Sequence, residues 1–137
     1  MLRCLAIDDE PLALRQLTSY ITKLAYLELV ASCNNALEAQ QIVTSEKIDL
    51  IFLDINMPDL NGVDFVRSLT GVRPMIIFTT AYSEYAVEGF RLDALDYLLK
   101  PFSLADFSRA AAKANSLYEL RLQAQRVAES PQPTSDS

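Results

Sequence analysis

The stretch Leu50-Ile51-Phe52-Leu53-Asp54 decides the fold of this chain. Its four consecutive apolar residues predict a strand that is buried on both faces, as in a parallel sheet. Similar apolar runs occupy residues 4–7 and 75–78. Together with two less apolar segments they give five predicted strands: residues 2–8, 28–33, 50–54, 75–79 and 96–99.

The segments between the predicted strands have helical periodicity and carry helix-start signals. These signals are a proline at a first helical position and capping pairs: Pro11, Asn35 with Glu38, Ser103 with Asp106, and Ser83 before Glu84. Repeated strand-helix units require right-handed crossovers, so the pattern predicts an α/β fold with an open, doubly wound parallel sheet and helices on both faces. Ligands of such sheets bind beyond the carboxyl ends of the strands.

Size and charge limit the function. The chain has 137 residues, enough for one domain, and its formal charge is −6, from 12 basic and 18 acidic residues, so we expect it to repel nucleic acid and anionic lipid. No apolar run reaches the ~20 residues of a membrane-spanning helix, and the N-terminus does not resemble a signal peptide. We therefore expect a soluble, cytoplasmic protein. Cys4 and Cys33 lie in apolar strands, where thiols are usually buried and reduced.

Charged residues follow three of the predicted strands. Asp8-Asp9 follows the first strand, Asp54 ends the third and Lys100 follows the fifth. Carboxylates so close together cannot all stay ionised without a cation or strongly raised pKa values. Oxygen ligands with open positions suit Mg2+. Histidine is absent, so phosphoryl chemistry would use carboxylates, and Mg2+ with Lys100 would make Asp54 a nucleophile toward a phosphoryl group. The alternative is that these acids only cap helices or form surface ion pairs.

Four motifs, taken in order, resemble the response regulator receiver domain of two-component signalling. They are Asp8-Asp9, residues 53–62 (LDINMPDLNG), Thr79-Thr80-Ala81 and residues 96–102 (DYLLKPF). The resemblance covers about the first 120 residues, the size of one compact domain. It implies a flavodoxin-like sheet with strand order 2-1-3-4-5. Residues 78–82 and 93–102 most resemble receivers that precede a LytTR-type DNA-binding domain.

The resemblance assigns roles to individual residues. It implies that Asp54 accepts the phosphoryl group from a sensor histidine kinase. It also implies four protein ligands for Mg2+: Asp54, Asp9 directly, Asp8 through water, and the Asn56 main-chain carbonyl, which completes the set. Lys100 would pair with the phosphoryl group. Such a domain is not an enzyme in the ordinary sense, because it catalyses only its own phosphorylation and dephosphorylation.

The resemblance also implies a switch. Thr80 would move toward the phosphoryl group and Tyr97 would turn inward to fill the space, so that the fourth helix, fifth strand and fifth helix form the output surface. For Tyr97 the alternative is a static core aromatic with its hydroxyl at the surface. Tyr82 and Asn56 would flank the phosphoryl group and tune its hydrolysis. A cis peptide bond is implied before Pro101.

The C-terminal part of the chain has a different character. We expect residues 1–128 to form the receiver domain and residues 129–137, rich in Pro and Ser, to be a linker or disordered tail. A second apolar stripe at Leu117, Leu120, Ala124 and Val127 cannot face the same core as the first and could support a homodimer. Contact with DNA would require an output domain missing from this chain, and the alternative is a stand-alone receiver acting through protein contacts.

Two other functions use similar features. A haloacid-dehalogenase-like phosphatase also has an aspartyl nucleophile, but Asp54-Ile55-Asn56 lacks the second acid that such an enzyme uses as general acid. A flavodoxin-like module would bind a cofactor phosphate at the first turn after strand 1, where Asp8-Asp9-Glu10 would repel it.

Overall fold

One parallel sheet organises the chain. The structure is a computed structural model, and it describes residues 1–55, 57, 65–66, 69, 73–82 and 94–129. Across these ranges the sheet has five strands in the order β2-β1-β3-β4-β5, as the receiver resemblance implies. The strands are β1 Leu2–Ile7, β2 Leu27–Cys33, β3 Leu50–Asp54, β4 Met75–Thr80 and β5 Asp96–Leu99.

Three helices with described bounds accompany the sheet: α1 Pro11–Lys23, α2 Ala36–Ser45 and the C-terminal helix α3 Leu104–Glu129. Pro11 stands at the start of α1, as its fixed φ favours. The predicted caps are confirmed by their hydrogen bonds. These are Glu38 N to Asn35 Oδ1 at 2.8 Å, Asp106 N to Ser103 Oγ at 3.0 Å and Ser103 N to Asp106 Oδ2 at 3.4 Å. The predicted start at Ser83 lies outside the described residues.

The sheet separates two core layers. Alternate residues of each strand point to opposite faces, so the apolar runs fill both. The first layer includes Leu50 and Phe52 and lies against α1 and α3, where the Phe52 and Phe107 rings stack 5.0 Å apart. The second layer includes Ile51 and Leu53 and lies against α2. A run with no polar residue, such as residues 50–53, is therefore what this sheet requires.

The C-terminal helix corrects one prediction. Ala114 is fully buried, and Leu117, three residues later on the same face, is half-buried and packs against the first core layer. The prediction that the whole second stripe faces away from the core is wrong at Leu117. Leu120 and Val127 are exposed, so the stripe leaves the core only beyond Leu117.

Two further predictions concern the ends of the molecule and its relation to membranes. Within the described ranges, no helix has the length and apolarity needed to span a bilayer. Helix α3 continues to Glu129, and residues 130–137 lie outside the described part of the chain. The boundary between residues 128 and 129 stays a prediction.

Candidate functional site

Three aspartates meet at the carboxyl edge of the sheet. Asp8 and Asp9 follow β1, and Asp54 ends β3, the neighbouring strand. One carboxylate oxygen from each residue lies within 4.8 Å of the other two. Asp8 is 1% exposed and Asp54 7% exposed, whereas Asp9 is more accessible. The sequence thus correctly predicted that these three acids converge.

Lys100 brings a positive charge to the aspartates. Its ammonium nitrogen lies 2.8 Å from Asp8 Oδ2 and 3.6 Å from Asp54 Oδ2. The backbone helps to place it there, since Lys100 N donates to the Thr80 carbonyl at 2.7 Å. The Lys100–Pro101 bond is cis, as the resemblance implied. Burial acts to lower the pKa of Lys100, but the hydrogen bond and negative charge of Asp8, with the charge of Asp54, outweigh it and raise that pKa above its ordinary value.

The acidic cluster fits a hard divalent cation. Three carboxylates face one ammonium, so within the cluster negative charge remains in excess. Asp8 Oδ1 already accepts a hydrogen bond from Glu10 N at 2.9 Å and Oδ2 accepts from Lys100, whereas among the described residues no hydrogen bond or ion pair engages the Asp9 carboxylate. Carboxylate oxygens at this spacing are the donor set that Mg2+ prefers. The fourth predicted ligand, Asn56, lies outside the described residues.

Two threonine hydroxyls, of Thr79 and Thr80, lie on the β4 side of the site. Thr80 is buried, and its Oγ1 accepts a hydrogen bond from Tyr82 N at 3.0 Å. Thr79 is also buried, but its Oγ1 has no hydrogen-bond partner among the residues that the structure describes. A role was predicted from the sequence for Thr80 but not for Thr79. Strand alternation was the available signal, because it places residue 79 rather than 80 on the sheet face of Asp54.

Tyr97 lies on the other sheet face, with Thr80. Its ring stacks on Phe78 at 5.4 Å, with an angle of 28° between the planes, and it packs against the second core layer. Burial raises the pKa of its hydroxyl to about 12. In the register of β4 and β5, Tyr97 pairs with Phe78, two residues before Thr80, so Tyr97 and Thr80 lie on the same face of adjacent strands, as the predicted switch requires.

An open groove of about 880 Å³ lies above the carboxylates. Its walls include the site residues and the first turns of α1, notably Leu12 and Gln16. The sequence analysis did not single out these two residues. Their signal was spacing: they stand four residues apart on the helix that starts directly after Asp8-Asp9-Glu10, so they share one face. The groove can admit a small anionic group to Asp54.

Relatives of known sequence share most of this chain. It is 41% identical over 110 residues to an uncharacterised response regulatory protein of Shewanella oneidensis, which covers 80% of this chain and 47% of that protein. It is 40% identical over 114 residues to the transcriptional regulatory protein BtsR of Escherichia coli, covering 82% and 48%. It is 38% identical over 114 residues to the sensory transduction protein LytR of Staphylococcus haemolyticus, covering 82% and 44%. The chain therefore spans about half the length of these relatives.

Solved structures agree with the fold. The response regulatory domain of mrkE from Klebsiella pneumoniae superimposes with a TM-score of 0.79 at 34% identity, over 87% of this chain and 99% of that one. The response regulator TrrA of Thermotoga maritima, solved in complex with Mg2+-BeF, gives a TM-score of 0.72 at 28% identity, over 83% and 99%.

A family model gives the same assignment. The model of the response regulator receiver domain matches residues 4–112, which include residues 4–7 of β1, all of β2 to β5 and all four charged residues of the site. The presence of BtsR and LytR among the relatives agrees with the predicted likeness to receivers of LytTR-type regulators. With this match and relatives at about 40% identity, the chain belongs to the family of response regulator receiver domains.

Proposed function

We propose that this receiver domain accepts a phosphoryl group from a sensor histidine kinase onto Asp54, in an Mg2+-dependent reaction, and changes conformation to control transcription. One observation carries the proposal. Asp54 is almost fully buried at the end of β3, yet it opens onto a groove and lies 3.6 Å from a lysine ammonium and within 4.8 Å of two further carboxylates. An aspartate with only a structural role would not need an open groove, a lysine and two further carboxylates around it.

Each residue has a distinct task in phosphoryl transfer. An Asp54 carboxylate oxygen attacks phosphorus, the bond from phosphorus to the donor imidazole nitrogen breaks, and that nitrogen keeps the electron pair. Lys100 neutralises charge on the transferred oxygens. Asp8, Asp9 and the Asn56 carbonyl would hold Mg2+, which when bound supplies positive charge to the phosphoryl oxygens. The complex of TrrA with Mg2+-BeF, a relative's structure, supports this part of the proposal.

The switch would follow from the added charge. The phosphoryl group brings more negative charge and new acceptor oxygens. The Thr80 hydroxyl accepts from Tyr82 N but can still donate its own proton, so it can turn to the phosphoryl group. Tyr97, on the same face, would then move inward. Phosphorylation favours the second state only by the difference in its contacts between the two states.

The output belongs to the longer protein. Because BtsR is a transcriptional regulator and the chain spans about half of it, we propose that residues 1–128 are the receiver and residues 129–137 a linker to a LytTR-type DNA-binding domain. The exposed Leu120 and Val127 of α3 would support a homodimer. A stand-alone receiver acting through protein contacts is the alternative, and the length of the gene product distinguishes the two.

Intact-mass measurement tests the acceptor. The wild-type protein and Asp54→Asn are incubated with acetyl phosphate in Mg2+ or in EDTA. We expect one phosphoryl group on the wild type in Mg2+, and none in EDTA or on Asp54→Asn. The control Asp96→Asn removes an aspartate whose ion pair with Lys113 lies away from the cluster, and it should be phosphorylated like the wild type. Normal phosphorylation of Asp54→Asn would refute the assignment.

A further inference from the structure

The Thr79 hydroxyl is an unusual feature of the site. Thr79 is 1% exposed, and its Oγ1 is the buried side-chain atom that lacks a hydrogen-bond partner in the described part of the chain. Burying a hydroxyl without a partner is unfavourable, and most proteins avoid it. A valine would fill the same space without this cost. The hydroxyl therefore calls for a partner that it gains in another state of the protein.

The sheet register shows which group can become that partner. Thr79 pairs with Asp54 on one side and with Leu98 on the other. Ile77, two residues before Thr79 on β4, belongs to the same core layer as Phe52, two residues before Asp54 on β3. Because alternate residues of a strand share a face, Thr79 and Asp54 lie on the same face of the sheet. Lys100 follows β5 and its ammonium contacts Asp8 beyond β1. In the order β1-β3-β4-β5 the line from Lys100 to Asp8 passes the end of β4, one residue beyond Thr79, and both Thr79 and Lys100 line the groove above the carboxylates.

We propose that the Thr79 hydroxyl is a positioning contact for Lys100, accepting a hydrogen bond from the ammonium when Lys100 exchanges Asp8 for the phosphorylated Asp54. The inference rests on the proposed function, which requires this exchange. In the structure the ammonium lies closer to Asp8, at 2.8 Å, than to Asp54, at 3.6 Å. To approach the phosphorylated Asp54 at the end of β3, the ammonium would move away from β1 and therefore closer to β4.

Donor and acceptor needs agree with this exchange. An ammonium has three N–H donors and no acceptor. When it leaves Asp8 it gives up its shortest hydrogen bond, in a site where only 21% of its side chain is exposed. Thr79 Oγ1 lies on the same sheet face, accepts from no group within the described ranges and has two lone pairs. The contact would satisfy both groups at once, and hydrogen bonds to charged groups are the stronger class.

Thr80 is placed less well for this role. Its Oγ1 already accepts one hydrogen bond, from Tyr82 N, and alternation places it with Phe78 and Tyr97 on the opposite face of the sheet. It would reach the phosphoryl group only by the movement proposed for the switch, and its hydroxyl would then donate to that group. The two threonines thus have different roles: Thr80 takes part in the proposed switch, and Thr79 positions Lys100.

Two substitutions test the inference. Thr79→Val keeps the shape and removes the hydroxyl, whereas Thr79→Ser keeps the hydroxyl. Stability is measured by urea unfolding in EDTA, and affinity is measured by titrating beryllofluoride, a phosphoryl mimic, in saturating Mg2+. We expect Thr79→Val to be at least as stable as the wild type in EDTA but to bind beryllofluoride about tenfold more weakly, the loss of one hydrogen bond to a charged group. Thr79→Ser should restore affinity to within about twofold of the wild type.

The outcomes separate the two proposals. Reduced stability of Thr79→Val in EDTA would show that the hydroxyl is bonded in the resting state, which overturns the inference. Wild-type affinity of Thr79→Val would overturn it as well, and in that case the proposed function would stand. If the folded wild type binds no beryllofluoride in Mg2+, the proposed function fails, and the role of Thr79 fails with it.

Discussion

Lys100 compensates buried carboxylates, so its removal should be costly. In Lys100→Met the long apolar side chain is kept, but Asp8, 1% exposed, loses its ionic partner. Breaking a buried pair in this way costs about 3 kcal/mol of unfolding free energy. Urea unfolding in EDTA measures the loss. Lys113→Met is the matched control, because Lys113 pairs with Asp96 while 52% exposed, and should cost less than about 1 kcal/mol. Equal losses of unfolding free energy in the two variants would mean that the buried Lys100–Asp8 pair stabilises the fold no more than an exposed ion pair.

Single residues also show the limit of sequence reasoning. The convergence of Asp8, Asp9, Asp54 and Lys100 was predictable, because parallel strands bring their carboxyl ends to one edge. The preference of Lys100 for Asp8 over Asp54 was not, since it depends on differences below 1 Å between side-chain positions. The unpartnered Thr79 hydroxyl was equally hidden, because whether a buried hydroxyl finds a partner depends on the rotamers of its neighbours.

At the scale of elements, the capping box of α3 should make stability depend on pH. The Ser103 backbone N–H, followed by its hydroxyl, hydrogen-bonds with Asp106 and lowers the pKa of that carboxyl below 3.8. The ionised form is thus favoured in the folded state. The stabilisation is complete above the unfolded pKa and disappears as the pH falls through the lowered one.

The variant Asp106→Asn measures this effect. Its unfolding free energy should be below that of the wild type at pH 7, and the two curves should converge as the pH falls below 3.8 and through the lowered pKa of Asp106. Glu119→Gln, which removes an exposed acid from the middle of the same helix, is the control for the loss of one carboxylate, and at pH 7 it should cost less unfolding free energy than Asp106→Asn because it removes no cap. A constant difference for Asp106→Asn across this pH range would rule out the capping carboxylate as its source.

The five strands were predicted to within one residue. The ends of β1, β2 and β4 differ from prediction by a single position, and β3 and β5 match. Continuous apolar runs flanked by polar residues fix strand limits well, because both faces of each strand are covered. The contacts of α3 were harder to predict. The apolar positions of this helix shift gradually around its axis, and their spacing does not show at which residue the helix stops packing on the core. This explains the error at Leu117.

At the scale of the whole molecule, the two core layers each contain one cysteine. Cys4 lies in the layer against α1 and α3, and Cys33 in the layer against α2. Both thiols are free and almost fully buried. Burial raises the pKa of each from 9.0 to about 12. The reactivity of each cysteine therefore reports on the unfolding of one of the two core layers.

A thiol-specific reagent should detect whether the layers open together. At pH 8 a thiol of pKa 9 is about one tenth thiolate, whereas one of pKa 12 is about one part in ten thousand, so the folded protein should react only through unfolding. Because the folded state holds these protons more tightly, stability should also fall as the pH rises from 9 toward 12. The single-thiol variants Cys4→Ala and Cys33→Ala are compared with Ellman's reagent, with each rate corrected for that variant's stability in urea. If the sheet unfolds as one unit, both thiols react at the same corrected rate. A faster Cys33 would show that the α2 layer opens while the layer against α1 and α3 stays folded.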